Sequence, residues 1–177
     1  MRSSQKICIL LVLLFQTLLV AAESGEYVLP FANDSKHKLL QGYNGPWGHT
    51  GHCAYAYDFQ MPIGTVVHAA RSGKVVHVEQ QFPDATRKPG QENVIVIQHQ
   101  DGTFARYYHL TQKGSRVAVG EEVQQHQVIG LSGDSGASAG PHLHFDVTRE
   151  CYKWGCQTIE VNFKNAKENP LAQGNSY

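Results

Sequence analysis

Excess charge of either sign is what this chain most plainly lacks. Lysine plus arginine and aspartate plus glutamate balance at 15 each. With no basic run to break that balance, there is no electrostatic footprint for nucleic acid. Repeats, charge blocks and low-complexity tracts are missing too. Helical periodicity is nearly absent beyond the N-terminus, which argues against a helical fold. Cysteine is scarce, at four residues, and Cys53 has no second cysteine at a zinc-finger spacing. After the first segment, no apolar stretch approaches the ~20 residues a membrane span requires.

That first segment has a character of its own. Arg2 and Lys6 precede an apolar stretch over residues 7–20, interrupted by Gln16 and Thr17, and Ala21-Ala22 follow. A basic start, a short apolar run and small residues read as a cleaved secretory signal, residues 1–22, cut after Ala22. The expected location is therefore secreted or periplasmic, with no membrane span once the signal is removed. Cys8 leaves with the signal. Cys151 and Cys156 flank a short turn and are expected to form a local disulfide in an oxidising compartment. Cys53 then remains as a lone thiol, whose sharper readings are a thiolate nucleophile or an extra zinc ligand.

What remains is long enough for one domain with a proper core. Short runs of β-branched and apolar residues recur between Gly, Pro and Asp punctuation. They predict strands at Ala54–Phe59, Val66–Ala69, Gly73–Gln80, Asn93–His99, Phe104–Leu110, Gln127–Ser132 and His142–Thr148. Asp101-Gly102 lies between two of them and is a strong hairpin signal. Residues 23–44 read as a lead-in with one possible strand at Tyr27–Leu29, and residues 165–177 as a mobile tail. The expected fold is all-β, with antiparallel sheets forming an open groove and few or no helices. The segment from Val117 to Gly130 also resembles a biotinyl- or lipoyl-carrier hairpin, but it lacks the lysine that such carriers modify.

The richest stretch is Gly140-Pro141-His142-Leu143-His144-Phe145-Asp146-Val147. Alternation on a strand puts His142 and His144 on one face, roughly 7 Å apart, and sends Leu143, Phe145 and Val147 into a core. Asp146 shares the histidine face, where it either orients a histidine or meets water. A catalytic zinc site needs three protein ligands and an open position. His144 can supply one. Asp58, a charge inside the aromatic strand Tyr55-Ala56-Tyr57-Asp58-Phe59, is the best carboxylate, because buried charges are paired or metal-bound. For the third ligand His49 and His52 compete, and spacing does not choose between them. His109 ends another predicted strand and, with His142, could handle protons near neutral pH. His37, His68, His77, His99 and His126 read as solvated or hydrogen-bonded side chains.

These residues fall into a known arrangement. From about Tyr27 to Phe163 the chain resembles the LytM/lysostaphin-type zinc endopeptidases, which cut peptides in bacterial cell walls. The motifs are His49-Thr50-Gly51 with Tyr55-Ala56-Tyr57-Asp58-Phe59, then Pro62-Ile63-Gly64-Thr65 with Gly73-Lys74-Val75-Val76, then Asp101-Gly102-Thr103 with Tyr107-Tyr108-His109-Leu110, and finally Gly140-Pro141-His142-Leu143-His144-Phe145. The resemblance implies a peptidase domain over residues 45–164 and Zn2+ held by His49, Asp58 and His144. It also implies His109 and His142 as catalytic histidines and peptidoglycan peptides as substrate. Ala54 occupies the position where many members carry the first ligand histidine, so His52 stays open.

Two serine motifs compete with this reading. Gly133-Asp134-Ser135-Gly136 resembles the nucleophile region of trypsin-like proteases. Gly136-Ala137-Ser138-Ala139-Gly140 fits the Gly-x-Ser-x-Gly elbow, but Pro141 and a strand follow where a helix is required. Both are better read as a loop delivering His142 and His144. The remaining alternative is a catalytically silent relative that binds the wall or activates another hydrolase.

Overall fold

The structure, a computed structural model, describes residues 26–177; the expected signal segment lies outside them. Among the described residues nine strands form: β1 (Leu39–Gln41), β2 (Tyr57–Gln60), β3 (Val66–His68), β4 (Gly73–Glu79), β5 (Val94–Gln98), β6 (Thr103–Tyr108), β7 (Glu122–Val123), β8 (Val128–Leu131) and β9 (His142–Arg149). Seven of them make one antiparallel sheet in the order β1-β2-β9-β6-β5-β4-β7, and β3 pairs with β8 in a second. Among the described residues the one helical element is a 3-10 turn at Gly51–Cys53. The all-β expectation is met.

Alternation along the central strands sorts the sheet into two faces. Tyr57 and Phe59 of β2, Ile95 and Ile97 of β5, Ala105 and Tyr107 of β6, and Leu143, Phe145 and Val147 of β9 are fully buried in one core. The neighbours between them point the other way. There Val94, Val96, Phe104 and Tyr108 make a smaller apolar cluster that Tyr152 helps to cover. β5 is therefore apolar on both faces, which explains its unbroken Val-Ile-Val-Ile run. The Asp101-Gly102 turn joins β5 to β6 as expected. Gly102 takes φ +80°, and Asp101 Oδ1 accepts bonds from the Thr103 amide and hydroxyl at 3.1 and 2.6 Å.

Two strand expectations need correction. The strand expected from Ala54 starts only at Tyr57, because Gly51, at φ +56°, opens the 3-10 turn and the Ala54 amide bonds back to the Gly51 carbonyl. Tyr27, Val28, Leu29 and Phe31 are core residues, and β1 follows, whereas the possible strand at Tyr27–Leu29 reduces to a single bridge from Tyr27 to Phe163. Residues 165–177 make contacts with the rest of the fold. Leu171 is buried, and the Tyr177 and His37 backbones exchange hydrogen bonds of 2.9 and 3.2 Å.

Candidate metal and catalytic centre

Asp58 and His144 are direct partners in the β2–β9 ladder, on the face turned away from the main core. His144 Nδ1 lies 2.9 Å from Asp58 Oδ1, and His144 Nε2–H donates to Asp146 Oδ2 at 3.0 Å. Burial alone would push the His144 imidazole down, but its bonds to Asp146 and Asp58 hold it up at about 9. Burial would likewise push the Asp58 carboxyl up, but the His144 and His142 imidazoles beside it keep it well below the usual carboxylate range.

His49 arrives from the loop before the 3-10 turn. Its Nδ1–H donates to the Gly42 carbonyl at 2.9 Å, which fixes the proton on that nitrogen. Nε2 is then left with a lone pair. It is buried without an aligned hydrogen bond, 3.2 Å from Asp58 Oδ1. A lone pair and a carboxylate facing each other in a buried site repel unless a cation sits between them. One donor atom each from His49, Asp58 and His144 lie within 4.8 Å of one another. That set of two imidazoles and a carboxylate matches zinc chemistry. His52 stays out of the cluster, its ring packed edge-on against Trp154 at 5.1 Å. Of the two histidines the sequence leaves open, His49 is the one brought to the centre.

His142 and His109 stand beside it. His142 Nε2 is 3.7 Å from Asp58 Oδ1, and Nδ1–H donates to the Gly140 carbonyl at 2.8 Å. His109 Nδ1–H donates to the Ser135 carbonyl at 2.8 Å. In both rings a backbone carbonyl takes the Nδ1 proton, which leaves Nε2 as the nitrogen with a lone pair. The two rings lie 4.6 Å apart between centroids, and His109 is 6.0 Å from His144. Burial, reinforced by the His142 and His144 imidazoles, pushes His109 down to about 3. His109 takes φ +62°, a left-handed conformation uncommon outside glycine. Asn93 braces this turn. Its side chain, fully buried, donates to the Leu110 and Phe82 carbonyls, and its amide donates to Ser135 Oγ.

The serine motifs serve that bracing. Ser135 is fully buried and donates to the Leu110 carbonyl, and Ser138 donates to the Gly140 carbonyl. Cys53 is buried, and burial together with the Asp146 carboxylate pushes its thiol up to about 11, so it is no ready nucleophile. Cys151 and Cys156 form the expected disulfide.

Two residues beside the centre were not foreseen. Gln41 Nε2 donates to Asp58 Oδ2 at 3.2 Å, while the same amide clamps the Trp47 backbone. Arg106 pairs with Asp146 at 2.6 Å. A charge in the middle of the apolar run Phe104-Ala105-Arg106-Tyr107-Tyr108 is the same signal that singled out Asp58. Nothing in the short segment around Gln41 marks it in this way.

Known proteins are similar to this chain in sequence and fold. Residues 52–157 match Peptidase family M23, a stretch that begins just after His49. The chain is 40% identical over 90 residues to the peptidoglycan DD-endopeptidase ShyA of Vibrio cholerae, covering 51% of this chain and 19% of that protein. It is 40% identical over 113 residues to lysostaphin of Staphylococcus simulans, covering 63% and 21%. It thus spans about a fifth of the length of these curated relatives. Among solved structures, the catalytic domain of the antimicrobial peptidase lysostaphin from S. simulans superposes with TM-score 0.52 at 31% identity, covering 71% of this chain and 87% of that one. A zinc-containing peptidase from V. cholerae gives 0.54 at 31%, covering 69% and 36%. With fold, motif order and site geometry in agreement, the chain belongs to peptidase family M23.

Proposed function

We propose that this protein is a zinc-dependent endopeptidase that hydrolyses peptide cross-links of bacterial peptidoglycan outside the cytoplasm. The observation that carries the reading is the convergence of His49, Asp58 and His144 on one small volume, with His49 Nε2 buried and lacking an aligned partner. These three would hold the ion. When bound there, zinc supplies Lewis-acid charge for polarising a peptide carbonyl and for acidifying water.

The chain's own groups do the rest. Of His142 and His109, one accepts a proton at Nε2 from the attacking water, and the other steadies the charge that develops on the carbonyl oxygen. The Gly140 and Ser135 carbonyls orient the two rings for these tasks. The presence of all five side chains disfavours a silent wall-binding module. Location outside the cytoplasm is supported by the signal-like residues 1–22 and by the Cys151–Cys156 disulfide, since such bonds persist in oxidising compartments. The peptidoglycan substrate is supported by the names of the relatives.

The test is digestion of purified cross-linked muropeptides, with mass analysis of the products. Loss of cross-linked dimers that stops with a chelator and returns with zinc is expected. Cleavage indifferent to chelation, or none by protein carrying one zinc per chain, would overturn the reading.

A further inference from the structure

Arg106 and Asp146 are fully buried on the sheet face that carries the metal centre. They face each other across the β6–β9 ladder, as Tyr108 and His144 do next to them. The guanidinium grips the carboxylate at two points, Nε to Oδ1 at 2.6 Å and Nη2 to Oδ2 at 2.8 Å. Asp146 Oδ2 also accepts the bond from His144 Nε2. The remaining arm of Arg106 reaches outward, where Nη1 donates to the Lys153 carbonyl at 2.8 Å and the Tyr152 carbonyl at 3.4 Å. Both carbonyls belong to the loop closed by Cys151–Cys156. From that loop Trp154 stands against His52 and Tyr108.

A buried ion pair is a poor source of stability, since apolar residues of similar volume usually serve as well or better. This one has a different use available. An acceptor on Nε2 holds the His144 proton on that nitrogen and turns Nδ1 toward the ligand cluster, the arrangement in which a carboxylate orients a metal-binding imidazole. The disulfide loop in turn fixes Arg106. We propose that Arg106 and Asp146 are a positioning pair that sets His144 for metal and makes metal retention depend on the closed Cys151–Cys156 loop. The inference rests on the proposed role of His144 as a ligand.

The test measures zinc affinity by competition with a chromophoric chelator, alongside the melting temperature of the metal-free protein. Replacing the pair together (Arg106→Met with Asp146→Leu) is expected to leave the metal-free melting temperature no lower and to weaken zinc by roughly 10–100-fold. Asp146→Asn, close in shape to the original, covers the case in which the double variant does not fold, and should weaken zinc at least about threefold. Opening the loop with Cys151→Ser and Cys156→Ser should weaken zinc in the wild-type background and have no such effect in the Met/Leu background. Unchanged affinity in the pair variants, or an equal effect of opening the loop in both backgrounds, overturns the proposal. His144→Ala, measured in parallel, separates the two readings. If it binds zinc as tightly as wild type, the metal site itself fails and this inference falls with it. If it binds weakly while the pair variants bind normally, the positioning pair alone is wrong.

Discussion

Asp58 Oδ1 lies 2.9 Å from His144 Nδ1, on the facing strand and 86 residues further along the chain. The same oxygen is 3.2 Å from His49 Nε2 and 3.7 Å from His142 Nε2. One carboxylate oxygen thus meets three imidazoles, and the roles of these rings separate through their other nitrogens. His49 and His142 each give the Nδ1 proton to a backbone carbonyl, whereas His144 gives its outer proton to Asp146.

The two histidines that compete in the sequence should separate cleanly by metal content. His49→Ala is expected to lose bound zinc and activity together. His52→Ala, which removes a ring packed on Trp154, should retain one zinc per chain by elemental analysis. Zinc retained by His49→Ala would remove that residue from the ligand set.

His142→Ala should fold, bind zinc and turn over muropeptides about 10²–10⁴-fold more slowly, the usual loss for a positioned acid–base group. Comparing kcat at saturating substrate with zinc stoichiometry distinguishes this from loss of the ion. Turnover near the wild-type rate would exclude His142 from proton transfer.

Asn93 makes no contact with the ligand atoms, yet its side chain ties the Phe82 and Leu110 carbonyls together beneath the His109 turn. Asn93→Ala removes the side-chain donor to the Phe82 carbonyl and leaves the Leu110 carbonyl to Ser135 alone, and should destabilise the fold by about 1–3 kcal/mol. Urea unfolding measures this. A lowered midpoint at unchanged slope is expected, with activity falling as His109 loses its support.

Asp101 predicts an acid dependence. Burial would raise its carboxyl, but the bonds from Thr103 and Arg71 hold it below the ordinary value. A folded pKa below the unfolded value of about 3.9 stabilises the fold fully above that pH, and the contribution is lost as pH falls below it toward the folded value. Asp101→Asn should therefore flatten the fall in melting temperature below about pH 4. With the side chain 46% exposed, the loss at neutral pH should stay within about 1 kcal/mol. An unchanged acid limb in the variant would contradict this.

How much of this is written in the residue pattern differs from element to element. β9 is legible because its alternation is complete, with imidazoles on one side and Leu143, Phe145 and Val147 on the other. Asp58 is legible because a charge interrupts an aromatic strand. β1 and β7 are hidden by their brevity, since three and two residues carry no periodicity. The placing of residues 165–177 is hidden for another reason. Their contacts to His37 and Leu39 are largely backbone bonds, which any side chain can make. His49 becomes distinguishable from His52 only when the 3-10 turn places one inside the cluster and the other beside Trp154. That is a matter of chain path rather than composition.

The concealed thiol of Cys53 gives the molecule a built-in reporter. A sulfhydryl held near 11 behind the sheet face stays inert to alkylating reagents at neutral pH while the wall around it is closed. The speed at which a maleimide labels it would count how often that wall breathes, with no dye or tag added.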